Sequence, residues 1–103
     1  MKIISVSYCP NDNTLYRAVF DNMTYMDFGE LFDIHYIQHR DLRRRRKYWM
    51  DNYSCPYKRD LLLWLIPSPI LLTAFLLNGS SIDIKKNIDE LNAEWENCPI
   101  LDR

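Results

Sequence analysis

Glycine is nearly absent from this chain, with two residues in 103, at positions 29 and 79. Two isolated glycines exclude the glycine-rich loop that cradles phosphates. Cysteine is scarce and odd in number: Cys9, Cys55 and Cys98 are too few for a stapled secreted scaffold. They form no Cys-x-x-Cys pair, so dithiol exchange and a thiolate zinc clip are both without their partner residues. Met1 to Val6 is an apolar run of strand length, lacking the longer apolar region and small-residue cleavage site of a secretory leader. These absences predict a reduced, cytoplasmic protein. Excess charge of one sign is also missing: 13 Lys and Arg stand against 14 Asp and Glu, a net of −1, so no global field draws the molecule to nucleic acid or an anionic membrane. No His-Glu-x-x-His sequence occurs, and Asp12, Asp27, Asp33 and Asp60 are scattered like surface acids. The sequence therefore predicts no enzyme and no cofactor.

What is present is an apolar content of 48% with 14% aromatic residues, enough for one core in a chain of 12.5 kDa. The usage is rich in Asn, Ile and Tyr and poor in Ala and Gly, as in the AT-rich genomes of many phages and mobile elements.

Residues 2–20 read as a β-hairpin. KIISVSY and TLYRAVF are β-branched and alternating, and CPNDN between them is dense in turn residues. Tyr16, Ala18 and Phe20 form the uniformly apolar face and are expected on the core. Thr24 with Asp27 resembles a weak capping box. From there Phe28, Leu31, Phe32, His35, Leu42 and Trp49 recur at helical spacings, which predicts one long helix over residues 27–51, or two with a break. Ile34 to Ile37 also suits a strand. Residues 57–77 read as an apolar segment broken by Pro67-Ser68-Pro69. The last element, about residues 82–97, is the plainest: Ile84, Ile88, Leu91 and Trp95 share one helix face, and Ser80 or Ser81 caps it.

The expected fold is α+β: an N-terminal hairpin followed by three or four helices in one small domain, residues 1–103. A layered α/β arrangement with Ile70 to Leu77 as a central strand is the alternative. Leu61 to Ile82 holds 22 residues without a charge, preceded by Lys58 and Arg59. A membrane span needs roughly 20 apolar residues, so Leu61 to Leu77 in the bilayer is a further reading. The two prolines in its middle favour a core segment instead.

Three features bear on function. Arg43-Arg44-Arg45-Arg46-Lys47 gathers five of the 13 cations and leaves −6 on the rest of the chain. With Arg40, Tyr48 and Trp49 beside it, this run suits a basic-aromatic helix gripping an acidic protein partner; phosphates of RNA or DNA, with Tyr48 or Trp49 stacked on a base, are the second reading. His35 and His39 stand four apart and are weak candidates to share a metal ion. The plainer reading has one histidine semi-buried and hydrogen-bonded and the other exposed. All three cysteines precede proline, a dipeptide that resembles haem-regulatory motifs, yet each copy sits at an element boundary where proline is ordinary.

The chain is expected to work by binding, as an assembly subunit or an accessory or inhibitory factor. Arg40, Arg43 to Lys47, Tyr48 and Trp49 are its expected contact surface, and a homo-oligomer is compatible with the same residues.

Overall fold

The structure is a computed structural model and describes residues 2–53 and 67–96. Strands β1 (Ile3–Tyr8) and β2 (Thr14–Phe20) form the expected hairpin, with Val6 opposite Ala18 and Tyr8 opposite Tyr16. Its turn is held by Asn11, whose side-chain oxygen accepts the backbone N–H groups of Asn13 and Thr14 at 2.8 Å. Ala18 and Phe20 are buried and Tyr16 packs against them.

The chain then departs from the helical expectation. Asn22 accepts the Thr24 N–H and Met23 adopts a left-handed conformation (φ 68°), reversing the chain into strand β3 (Tyr25–Glu30). β3 pairs antiparallel with β2, giving a three-stranded sheet in the order β1-β2-β3. Thr24 and Asp27 therefore start no helix. Cross-strand pairing explains the change: Phe28 stacks beside Tyr16, and Asp27 meets Arg17 on the outer face at 2.7 Å. Gly29, at φ 77°, also lies in a conformation that an α-helix excludes.

In the second half of the segment two helices with a break stand, as the second form of the expectation had it, though the first begins only at Tyr36. The short α1 (Tyr36–His39) ends where Arg40 turns left-handed at φ 59° and returns its N–H to Tyr36 O. Asp41 then accepts the Arg43 N–H at 2.9 Å and starts α2 (Leu42–Tyr53).

Ser68, with its hydroxyl accepting the Leu71 N–H at 3.1 Å and Pro69 at the first helical position, launches α3 (Pro69–Leu72). The helix widens into a π-turn over Thr73–Leu77. Ile70 to Leu77 is thus helical, which corrects the central-strand alternative: all but Ile70 and Thr73 in this stretch are buried, as an element apolar on every side requires. Among the described residues no helix is long and apolar enough to cross a membrane. The expectations for residues 57–66, and for Cys55 and Cys98, lie outside the described residues.

The last helix, α4 (Ile84–Glu96), follows its apolar pattern, with Leu91 and Trp95 buried and Ile84 and Ile88 packed against the core, but Asp83, accepting the Lys85 N–H at 3.0 Å, stands at the cap expected of Ser80 or Ser81. Asn92 reaches across to β1, donating to Ile3 O and accepting from Ile3 N–H. The fold is α+β in one small unit, with α3 and its π-turn packed against β3 and α4, and α4 also touching the sheet through Asn92 and Trp95.

Candidate functional site

The basic run lies along α2, and its members divide by environment. Arg43, Arg44 and Arg46 are exposed and make no ion pair with any described residue. Lys47 reaches down the helix to Asp51 at 2.8 Å, which raises its pKa through that hydrogen bond. Arg45 turns inward, its guanidinium 5.4 Å from the Tyr36 ring centroid. Arg40 is exposed at the corner before α2.

The two aromatics of the expected contact surface are placed differently. Trp49 is fully buried (0% exposed), its indole N–H donating to Asn78 O at 2.8 Å and its ring edge-on to Phe75. It belongs to the core and leaves the surface expected of it, because its side of α2 packs against Phe75 and the Asn78 carbonyl. Tyr48 is half-buried and hydrogen-bonded to Tyr53; burial pushes its hydroxyl well above the usual range.

Beneath the helix lies a polar knot centred on Asn78. Its Oδ1 accepts the Tyr36 N–H at 3.1 Å, which orients the amide so that Nδ2 donates to His35 Nδ1 at 2.9 Å and to Thr73 O. The neutral His35 ring then carries its hydrogen on Nε2. Burial holds the His35 pKa below its usual value. His39, half-buried, accepts the Asp41 N–H at Nδ1, and partial burial with Arg44 nearby lowers its pKa too. The histidine pair has its Nδ1 atoms turned to different partners, and among the described residues no cluster of three His, Cys, Asp or Glu side chains is placed to hold a metal ion.

Two cavities open on either side of a wall made of Asp33, His35, Tyr48 and Asn52. One, about 550 Å³, is a groove that adds Arg44, His39 and the Lys47–Asp51 pair to Phe32 and Ile34. Phe32 is 93% exposed and Ile34 is also exposed, so this groove has a bare apolar lip facing the exposed Arg44 and the Lys47–Asp51 pair. The other, about 470 Å³, is lined by Thr14, Phe28, Glu30, Tyr53 and Thr73 besides the shared wall. Sequence reasoning missed both Phe32 and the acids. Phe32 was expected on an inward helix stripe; once β3 replaces the helix, it falls in the loop after the strand. No known family model, characterised protein or solved structure matches this chain.

Proposed function

We propose that the chain is a non-enzymatic binding protein whose groove between α2 and the loop before α1 takes an acidic segment of a partner protein. The observation that carries this reading is the pairing, in one groove, of Arg44 and Lys47 with the exposed Phe32 and Ile34. Arginine and lysine would meet carboxylates, while covering Phe32 would add on the order of 1.5–3 kcal/mol of apolar burial. Arg43, Arg44 and Arg46, exposed and without an ion pair to any described residue, favour an external anion. Nucleic acid fits less well, because Trp49 is in the core and Tyr48 is engaged with Tyr53, so neither offers the free ring face on which an unpaired base stacks.

The test is a binding titration with two probes, an Asp- and Glu-rich peptide punctuated by leucine and a single-stranded oligonucleotide. The peptide is expected to bind more tightly, and Arg43→Glu, Arg44→Glu and Arg46→Glu together are expected to abolish its binding. Arg45 is left in place because it packs on Tyr36. Tighter oligonucleotide binding with a steep salt dependence would replace this reading with the nucleic-acid one.

A further inference from the structure

The cleft on the other side of the His35–Tyr48 wall has a chemistry of its own. Among the described residues no Lys or Arg lines it, whereas Glu30 and Asp33 both do. Two buried polar atoms, His35 Nε2 and Thr14 Oγ1, lack a hydrogen-bond partner, and both belong to residues lining this cleft. The case of His35 is the stronger. The residue is 4% exposed, and with Asn78 donating to Nδ1 its Nε2–H is a donor that nothing meets. A buried donor left unmet is costly, so a partner that accepts from it would bind more tightly for doing so. At the mouth, the Glu30 and Asp33 carboxyls lie side by side, and Asp33 holds the Glu30 carboxyl above its usual range. Two neighbouring carboxylates that repel each other leave a place for a cation to take. Phe28, Tyr48 and Tyr53 supply aromatic walls, which attract an organic cation through their ring faces.

We infer that this cleft binds a small organic ammonium compound carrying an accepting oxygen, its ammonium at Glu30 and Asp33 and its oxygen at His35 Nε2–H and Thr14. The volume of about 470 Å³ lies in the range of small-molecule pockets. An inorganic cation would leave the aromatic walls and the His35 donor unused.

The experiment is calorimetric titration with three matched probes, tyramine, phenethylamine and para-ethylphenol, followed by NMR mapping of the backbone amides. Tyramine is expected to bind and to shift Thr14, His35 and Tyr48. Phenethylamine, without the oxygen, should bind about tenfold more weakly, and para-ethylphenol, without the ammonium, should not bind measurably. Glu30→Gln with Asp33→Asn, both at exposed positions that leave the core untouched, should remove tyramine binding. The arginine-to-glutamate variant of α2 should bind tyramine as the native chain does, which separates this site from the peptide groove. Equal tyramine binding by the native chain and the carboxamide variant, or no binding by any probe, would overturn the inference and leave the cleft to water.

Discussion

Asn78 joins three elements through one side chain and one carbonyl. Its amide serves Tyr36, His35 and Thr73, and its carbonyl oxygen receives the Trp49 indole. Asn78→Ala would leave the Tyr36 N–H and Thr73 O without that partner in a dry interior, and is expected to lower stability by on the order of 3 kcal/mol in urea denaturation. A loss under about 0.5 kcal/mol would mean that water replaces the amide freely. Trp49→Ala should cost about 3–5 kcal/mol, a core-sized penalty that a surface aromatic would not give. His35 adds a pH dependence. Burial lowers its pKa, so the folded chain keeps the ring neutral while the unfolded chain protonates near 6.5. Stability is therefore full above that value and declines as pH falls below it, with His39 contributing in the same direction and a slope of at most about 1.4 kcal/mol per pH unit for each histidine. Urea midpoints that stay level from about pH 7.5 to 5.5 would contradict this. Little of this knot was legible in the sequence. Nothing in the sequence singles out Asn78, since a side chain that bonds residues over forty positions away leaves no local pattern.

Where local signals agree with packing, the elements were readable. α4 has an apolar stripe and a clean start, with Asp83 accepting the Lys85 N–H; the first hairpin has alternation on both sides of a turn-rich loop. β3 was hidden because Phe28 and Phe32 also fit helical spacing, and only the reversal at Asn22 and Met23 decides between the two. The two glycines that stood out by their rarity are both structural. A methyl group on Gly29 would press on Leu77 at 2.9 Å and on Tyr16 at 3.1 Å, with φ at 77°; one on Gly79 would collide with the Phe75 carbonyl and the Asn87 side chain. Gly79→Ala is expected to destabilise the chain by more than the roughly 1 kcal/mol that removing the Ser68 cap with Ser68→Ala should cost, compared by thermal unfolding. The reverse order would show that the turn after Leu77 yields easily.

At the scale of the whole molecule, a net charge of −1 conceals an unequal distribution. Five of the 13 cations collect on α2, and a wall of four residues separates an apolar-lipped groove that holds Arg44 and the Lys47–Asp51 pair from an acidic cleft. The run of arginines was visible in the sequence, but its apolar companions were not, because Phe32 and Ile34 reach the groove through the loop that follows an unforeseen strand. Phe32→Ser, at a position 93% exposed, should change stability by no more than about 0.5 kcal/mol while weakening capture of an acidic peptide. The most direct measurement of the central claim is NMR mapping of the chain titrated with the leucine-bearing acidic peptide. Shifts are expected at Phe32, Ile34, His39, Arg44 and Lys47, around the groove beside α2; shifts confined to the outer sheet face of Arg17 and Tyr25, or none at all, would contradict it.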